Sequence, residues 1–222
     1  MAIMVKAPAA GRVKTRLSPP FTPAEAAALA RCFLLDTIDR VRALRGVRPY
    51  LAHTPASAGP TLQAMAPDFG LVAQRGRDLG VRMAGVLGDL LAAGHPGAIV
   101  VGSDVPTLPA AALQAAVDRV IDPAVDVVVG PSEDGGYYLI GMRRVHAVLF
   151  EAMAWSTSQV LAETERRARA TRLAVARIPA WFDVDTPRDL ERLRTSLERG
   201  EGGPAPRTAA FLGAWDAAGR SR

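Results

Sequence analysis

Lysine is scarce in this sequence: only Lys6 and Lys14 occur, whereas the other 25 of its 27 basic residues are arginines. Both lysines lie in one N-terminal segment, AIMVKAPAAGRVKTRLSPP. Because arginine serves wherever a general positive charge is needed, the two lysines mark positions where a flat guanidinium group is unsuitable. A lysine ammonium is a compact point charge that suits phosphate oxygens, so this segment indicates a phosphate contact.

Cysteine and aromatic residues are also rare. Cys32 is the single cysteine, so an internal disulfide is excluded, and without a cluster of Cys and His it is expected to pack in a helix. Aromatic residues make up 5% of the chain, and its net charge of +5 comes from scattered arginines. With no recognisable nucleic-acid module, this pattern indicates solvated helix faces, and we expect no nucleic-acid partner.

Long apolar runs are absent too. No stretch approaches the roughly 20 residues that span a bilayer, and the N-terminus has neither a basic leader region nor a long apolar region. We therefore expect a cytoplasmic protein with no membrane partner. The hydrophobic content of 49% is ample for a globular core.

Apolar runs of strand length alternate with helical patterns, which predicts an α/β protein with a mainly parallel sheet. Thr22 and Thr186 each look like a helix N-cap followed by proline and an acidic residue in a capping box. The predicted strands are 2–5, 49–52, 69–73, 98–101, 125–129, 137–141 and 173–178. Further predicted helices are 79–92, 109–121 and 156–170.

The domain organisation predicted is one domain over residues 1–199, followed at 200–222 by a linker and a short C-terminal helix or tail. The segment GEGGPAPR, at 200–207, has the composition of a linker. A terminal helix over 208–218 is expected to dock through Phe211, Leu212 and Trp215.

The first candidate site follows the first predicted strand. A loop that contains Gly11 leads to Lys14, Thr15 and Arg16, and the order of strand, glycine loop and cations is typical of phosphate binding. The loop matches neither the Walker motif nor the dinucleotide fingerprint. The alternative is a surface turn with solvated charges. Lys6, at the end of the strand, is either a second phosphate contact or part of a structural ion pair.

Two further candidate sites contain aspartates at the ends of extended segments. Asp104 follows the strand AIVVG, at the sheet edge where open α/β proteins bind ligands. Asp183 and Asp185 share one face of an extended segment just before a helix. Asp104 and Asp185 could share one Mg²⁺, which takes one or two carboxylates plus substrate phosphates and waters. The alternative is that these residues only cap helices or stabilise helix dipoles.

Two loops complete the set of candidates. Asp134, Gly135 and Gly136 either let a ligand approach the backbone closely or form an ordinary hairpin turn. Gln74 either reads the edge of a base or lies in a surface loop. The loops around 53–60 and 142–158 are expected to select the acceptor.

Taken together, six motifs resemble the bacterial DUF2064 family, also called radical-SAM/selenodomain-associated transferase 1, over residues 2–197. The motifs are VKAPAAGRVKTRLSP, QRGRDLGVRM, GSDVPTLP, GPSEDGGYYLIGM, WSTSQVLAET and FDVDTPRDL. More distantly, AGRVKTRL, GSDVP, the Asp-Gly-Gly turn and DVDTPRDL are similar to 2-phospholactate guanylyltransferase and the molybdenum-cofactor nucleotidyltransferases.

The resemblance implies a GT-A-like, or nucleotide-diphospho-sugar transferase, fold: a three-layer αβα sandwich around a mostly parallel sheet. It also implies a nucleotide substrate and a divalent cofactor, Mg²⁺ or Mn²⁺, held by Asp104 and Asp185. Lys14, Arg16 and Asp104 match catalytic positions. The expected nucleotide contacts are Lys6, Gly11, Lys14, Thr15, Arg16, Gln74, Leu79, Gly80, Asp134, Gly135 and Gly136.

The chain departs from these relatives in two places. Its N-terminal loop contains only Gly11, where many sugar nucleotidyltransferases have a denser glycine loop. Tyr137 and Tyr138 follow the paired glycines, where the guanylyltransferases have Thr and Asn. Recognition of the acceptor or the base is therefore expected to differ.

Two reactions and one binding function remain open at this point. We expect a nucleotidyltransferase, in which a phosphorylated small-molecule acceptor attacks an NTP and releases pyrophosphate. The alternative is a glycosyltransferase with an NDP-sugar donor, although the position of its usual DxD motif reads SDV, with Asp104 as the one aspartate. The third candidate is a domain that binds nucleotide or nucleic acid without catalysis.

Overall fold

The computed structural model describes residues 1–219 and contains one seven-stranded sheet. Its strands are β1 (Ala2–Lys6), β2 (Tyr50–Thr54), β3 (Gly70–Ala73), β4 (Ala98–Gly102), β5 (Val127–Pro131), β6 (Tyr137–Met142) and β7 (Val175–Arg177). The strand order across the sheet is β3-β2-β1-β4-β6-β5-β7. Strand β6 is antiparallel to β4 and β5, whereas the other neighbouring pairs are parallel. The prediction of a mainly parallel sheet is confirmed.

Within residues 1–219, seven α-helices connect and follow the strands. They are α1 (Pro23–Arg42), α2 (Gly59–Met65), α3 (Leu79–Ala92), α4 (Ala110–Val120), α5 (Val160–Ala170), α6 (Pro187–Arg199) and α7 (Pro206–Ala217). Both predicted capping boxes are present, at Thr22 with Glu25 and at Thr186 with Asp189. Because each box satisfies backbone donors that the first helical turn leaves free, it defines where its helix begins.

Alternation along the strands divides the apolar side chains between two layers of helices. Ile3 and Val5 of β1 pack with apolar residues of α1, α2 and α4 on one face. Ala2 packs with residues of α3 and α5 on the other. The predicted three-layer αβα sandwich is confirmed, with the sheet buried between its helices.

The sequence prediction was wrong at two helices. Helix α2 was not predicted, because its seven residues include Gly59 and Pro60 and show too little periodicity. Helix α5 begins at Val160 rather than at 156, since the backbone of Ser156 has a left-handed φ of 65°. Residues 155–158 are therefore loop, and this loop lies beside the candidate site.

The C-terminal segment packs against the body of the protein. Leu212 and Trp215 of α7 share a buried cluster with Leu17, Phe182 and Val184, together with residues of α1 and α6. The buried Asp36 of α1 accepts hydrogen bonds from the backbone of Arg207 and from both the backbone and the hydroxyl of Thr208, at 2.7–3.1 Å. Asp36 of α1 thus caps the N-terminus of α7, a helix that begins 170 residues later in the chain.

Cys32 lies half-buried on α1, where it packs as expected. Burial and the nearby Asp36 raise the pKa of its thiol, which disfavours the reactive thiolate. Over the described part of the chain, no helix is long and apolar enough to cross a membrane.

Candidate active site at the carboxyl ends of the strands

A cleft of about 860 Å³ opens at the carboxyl ends of the central strands. It lies over β1 and β4, the neighbours at which the strand order changes direction. Open α/β sheets bind ligands at this type of switch point, because the loops that follow the two strands diverge there. The cleft contains the sequence motifs that follow β1, β3 and β4.

Lys14 lies at the centre of the cleft and binds two carboxylates. Its Nζ is 3.1 Å from Oδ2 of Asp104 and 2.6 Å from Oδ1 of Asp185, and its side chain is only 10% exposed. Burial lowers the pKa of Lys14, but attraction from Asp104 and Asp185 outweighs burial and raises it overall. The ammonium is therefore charged, and it neutralises part of an acidic cluster.

The backbone around Lys14 holds this position. Lys14 has a left-handed conformation, with φ 46° and ψ 38°, and precedes a short 3-10 helix, Thr15–Leu17. Leu17 is completely buried, so it anchors the loop from below while Lys14 points into the cleft. Gly11 has a φ of 69°, which suits the turn, and it is not among the residues that line the cleft.

Backbone hydrogen bonds fix Asp104 and Asp185 relative to one another. The amide of Val184 donates to the carbonyl of Asp104 at 3.0 Å, which joins the two segments directly. The amides of Asp185 and Thr186 donate to Oδ2 of Asp189 at 3.1 and 2.8 Å. The helix cap predicted from sequence therefore orients the segment that carries Asp185.

Asp183 lies behind this pair and faces the same cleft. Burial, together with the negative charges of Asp104, Asp134 and Asp185, raises its pKa to about 6. The hydroxyl of Ser132 donates a hydrogen bond to Asp183 and opposes the shift. Three further carboxylates thus lie close enough to act on Asp183, and Lys14 bonds to two of them.

The acidic side chains in the cleft offer oxygen atoms as ligands for a metal. Within residues 1–219 no group of three or more His, Cys, Asp or Glu residues is arranged to hold a metal ion. Asp104 and Asp185 nevertheless converge on one cation, the Lys14 ammonium. Two carboxylates suit Mg²⁺ or Mn²⁺ when substrate phosphates and waters supply the other ligands.

Positive side chains line one half of the cleft. The predicted residues Lys6 and Arg16 are exposed there, and Thr15 lines the same wall. Arg12 and Arg82 also line it, and neither was predicted as a site residue. Arg12 follows Gly11 directly and Arg82 lies two residues after Gly80, so both lie inside motifs recognised in the sequence. They were not predicted because the chain contains many other arginines.

Gln74 lies at the edge of the cleft, and its amide group is already engaged. Its Nε2 donates to the carbonyls of Ala52 at 2.7 Å and Val5 at 3.3 Å. The side chain thereby bridges the ends of β1 and β2. No described residue donates to its Oε1, so this oxygen is a free acceptor fixed in orientation.

Leu79 lines the cleft, and Gly80 supports it from behind. Leu79 is 45% exposed, so its side chain is accessible from the cleft. A Cβ at Gly80 would lie 2.5 Å from the indole of Trp155, so close packing with Trp155 requires glycine at this position. Trp155, which was not predicted as a site residue, lines the cleft.

The turn at Asp134 borders the opposite half of the cleft. Asp134 and Gly136 line it, whereas Gly135 does not. Gly135 has a φ of 90°, and a Cβ there would lie 2.1 Å from the carbonyl oxygen of Ser158. The segment is therefore a turn between β5 and β6, as the second alternative predicted, and Gly135 packs against the protein itself. Close approach of a ligand to this backbone stays a prediction.

The fold is that of the nucleotide-diphospho-sugar transferase class. Residues 37–157 match the family described as "Uncharacterized protein conserved in bacteria (DUF2064)", and the chain belongs to this family. No curated protein matches the chain.

Three solved structures illustrate the likeness. A protein from Desulfovibrio desulfuricans G20, provisionally described as a nucleotide-diphospho-sugar transferase, is 32% identical, with 97% of this chain and 94% of that chain covered and a TM-score of 0.87. A CMP:2-keto-3-deoxy-manno-octonic acid synthetase complexed with CTP is 15% identical, with 90% and 98% covered and a TM-score of 0.58. Rv0371c from Mycobacterium tuberculosis H37Rv, in complex with manganese, is 20% identical, with 88% and 97% covered and a TM-score of 0.50. The three structures confirm the predicted fold, and the 32% identical protein confirms the transferase class.

Proposed function

We propose that the protein is a metal-dependent nucleotidyltransferase, which transfers NMP from an NTP to a small-molecule acceptor and releases pyrophosphate. The observation that carries this proposal is the position of the Lys14 ammonium, within 3.1 Å of two carboxylates at the centre of a cleft whose other wall is cationic. A long polyphosphate and a divalent ion together complement that arrangement of charge.

Asp104 and Asp185 are the residues that would hold the metal. Their carboxylates already converge on one positive charge, so a divalent ion with oxygen ligands suits the same place. When bound, Mg²⁺ or Mn²⁺ would supply Lewis-acid stabilisation of charge at the α-phosphate. The manganese complex of Rv0371c, which has the same fold, is in keeping with this cofactor.

Lys14 has two positions in the proposed cycle. Before substrate binds, it neutralises Asp104 and Asp185. Once the metal site is filled, its ammonium is free to bind phosphate oxygens, together with Arg16, Lys6, Arg12 and the hydroxyl of Thr15. These groups stabilise the negative charge that accumulates on the departing pyrophosphate.

Gln74 and Leu79 are the proposed contacts of the nucleoside. The fixed Oε1 of Gln74 accepts a hydrogen bond from an N–H group of the base. The exposed Leu79 side chain packs against the base or the ribose. The CTP complex of the synthetase with this fold supports a nucleotide in such a cleft.

Glycosyl transfer from an NDP-sugar is the second candidate, and one observation favours it. The 32% identical relative is provisionally described as a nucleotide-diphospho-sugar transferase. Five cations line one half of the cleft. This is more positive charge than a diphosphate bound to a metal needs, and for this reason nucleotidyl transfer is preferred.

Thermal-shift measurements with NTPs and NDP-sugars, each with and without Mg²⁺ or Mn²⁺, separate the two reactions. Nucleotidyl transfer predicts that an NTP raises the melting temperature only with metal, and that Lys14→Ala removes most of this shift. A preference for an NDP-sugar with little effect of Lys14→Ala would refute it. Arg119→Ala, an exposed cation outside the cleft, is the matched control. Binding that needs no metal and survives Asp104→Ala would indicate the third candidate, a domain without catalysis.

A further inference from the structure

The charges that line the cleft are divided by sign. The lining residues from Met4 to Met83, which belong to β1, its loop, α1, the end of β2 and the β3–α3 region, include five cations and no acid. Those from Val100 to Asp185 include four acids and no cation among the residues described. In the sheet, the boundary between the two halves falls between the neighbours β1 and β4. Lys14 and Asp104 meet across it.

A metal would neutralise only part of the acidic half. Asp104 and Asp185 are the proposed metal ligands, which leaves Asp134 and Asp183 without a compensating cation in the cleft. Asp134 is exposed, and one of its oxygens accepts the amide of Gly136 at 2.9 Å. Its second oxygen has no donor among the described residues and is open to a ligand. A phosphate group beside these two acids would meet like charge.

Hydroxyl groups and an indole form the rest of this half. Ser156, Thr157 and Ser158 are exposed and line the cleft beside Trp155. The hydroxyl of Thr157 is used locally, where it donates to the carbonyl of Ala154 at 2.9 Å. The hydroxyls of Ser156 and Ser158 have no partner among the residues described. Such a surface can exchange hydrogen bonds with a ligand that carries several hydroxyls.

This wall is firmly attached to the sheet. The amide of Leu161 donates to the carbonyl of Gly135 at 2.9 Å, and Gly135 itself packs against the backbone of Ser158. The ring of Trp155 contacts that of Tyr137 edge to face, with centroids 6.4 Å apart. A wall held in this way can orient a small ligand without a loop having to close over it.

We propose that the acceptor is an uncharged, hydroxyl-rich compound, a polyol or sugar, bound against Asp134, Trp155, Ser156 and Ser158. This inference rests on the proposed nucleotidyl transfer, and it replaces the phosphorylated acceptor expected from the sequence. A hydroxyl oxygen of the acceptor forms a bond to the α-phosphorus of the NTP. The bond from that phosphorus to the bridging oxygen breaks, pyrophosphate departs, and the hydroxyl proton is released to water.

Matched pairs of acceptors test the inference. Each neutral polyol or sugar is compared with its own phosphomonoester, for example glycerol with glycerol phosphate, in an assay that measures pyrophosphate release with NTP and Mn²⁺. Like-charge repulsion predicts a kcat/KM about tenfold or more higher for the neutral member of the reactive pair. A preference for the phosphorylated member, or no turnover of any neutral member, overturns the inference.

Asp134→Asn tests the residue directly. Asparagine keeps the oxygen that accepts the amide of Gly136, so the turn is expected to fold. Loss of a hydrogen bond to a charged group predicts an acceptor KM about tenfold higher, with the Kd for NTP unchanged. An unchanged acceptor KM would contradict the assignment. Asp118→Asn, an exposed acid on α4 outside the cleft, is the control and should alter neither constant.

Binding of NTP is measured separately so that the two proposals can fail separately. If no NTP binds in the presence of metal, the nucleotidyl transfer itself is refuted. If NTP binds with metal and only phosphorylated acceptors react, nucleotidyl transfer stands and the neutral acceptor is refuted.

Discussion

At the scale of single residues, the central feature is a lysine that occupies the place proposed for a metal. The Lys14 ammonium is 10% exposed and bonds to both Asp104 and Asp185. Removing one partner of a buried ion pair leaves the other charge uncompensated, which costs free energy. The size of this cost depends on which ion takes the place of the one removed. We propose that a divalent cation takes the place of the ammonium in this site.

Lys14→Ala is therefore predicted to have opposite effects on two ligands. Mn²⁺ alone should bind about tenfold or more tightly, because no ammonium competes for the two carboxylates. The affinity for NTP with metal should fall, since a phosphate contact is lost. Titration of Mn²⁺ by electron paramagnetic resonance measures the first effect and calorimetry the second. Weaker Mn²⁺ binding in the variant would contradict the shared site.

Lys14→Arg separates charge from shape. The guanidinium retains a cation between the carboxylates, so Mn²⁺ alone should bind no more tightly than in the wild type. Its planar fork does not fit a site shaped for a compact ammonium, and kcat/KM should fall about tenfold. Wild-type activity in this variant would refute the argument that the scarce lysines mark positions where arginine is unsuitable.

At the scale of elements, the turn between β5 and β6 packs through Gly135 against Ser158, part of the surface proposed to bind the acceptor. Gly135→Ala places a Cβ 2.1 Å from the carbonyl oxygen of Ser158, at a φ of 90°. We expect a loss of roughly 2 kcal/mol in the free energy of unfolding, because the strained backbone and the backbone contact cannot both relax. Urea unfolding measures it.

Gly213→Ala is the matched control for that variant. Gly213 lies in α7, and a Cβ there would meet nothing within 4 Å. Alanine in a helix is favoured over glycine, so this change should stabilise the protein by roughly 0.5–1 kcal/mol. Equal effects of the two substitutions would show that the contact with Ser158 is unimportant.

At the scale of the whole molecule, the C-terminal helix packs against the segments that carry the candidate site. Trp215 of α7 is buried in the cluster that also contains Leu17, next to Arg16, and Phe182 and Val184, which flank Asp183. Residues far apart in the chain thus depend on one apolar cluster. We propose that residues 200–219 belong to the same folded unit as 1–199, rather than forming a separate tail.

Trp215→Ala is predicted to lower the free energy of unfolding by about 3 kcal/mol, a typical cost of deleting a large buried aromatic side chain. Its indole Nε1 is buried without a hydrogen-bond partner among the described residues, so no hydrogen bond is lost. The affinity for NTP should also fall, as the Lys14 loop loses support. Ile121→Ala, at a side chain that is 56% exposed, should change neither quantity. A neutral Trp215→Ala would indicate that 200–222 is a separate tail after all.

Many arginines are engaged in surface ion pairs, which accounts for much of the basic composition. Arg42 binds Asp68 through two nitrogens, and Arg177 and Arg192 bind Glu165 and Glu133 in the same way. Guanidinium groups suit such two-point contacts with carboxylates. Five other cations line the cleft or its edge, where the candidate site lies.

Local chemistry was enough to predict much of the fold. Strand alternation, the two capping boxes and each motif depend on a few neighbouring residues. The sheet and most of its helices could therefore be predicted. Helix α2 and the start of α5 could not, because Gly59 and Pro60 weaken the first pattern and a left-handed Ser156 delays the second.

The candidate site was predicted as a set of residues but not as an arrangement. Asp104, Asp185 and Lys14 were identified because each follows a recognisable motif. Arg12, Arg82 and Trp155 were missed, since nothing local distinguishes them from similar residues elsewhere. Gly80 and Gly135 were assigned to the nucleotide, whereas the structure shows that each is required for close packing.

By itself the sequence determined the alternation of strands and helices, their caps and the scarcity of lysine, because these depend on neighbouring residues. Only the tertiary structure decided that the Lys14 ammonium bonds to carboxylates 90 and 171 positions away. It also decided that cations and acids line opposite halves of one cleft. Such contacts depend on how β1 and β4 pair and on what packs beneath them, and no local pattern encodes that distance.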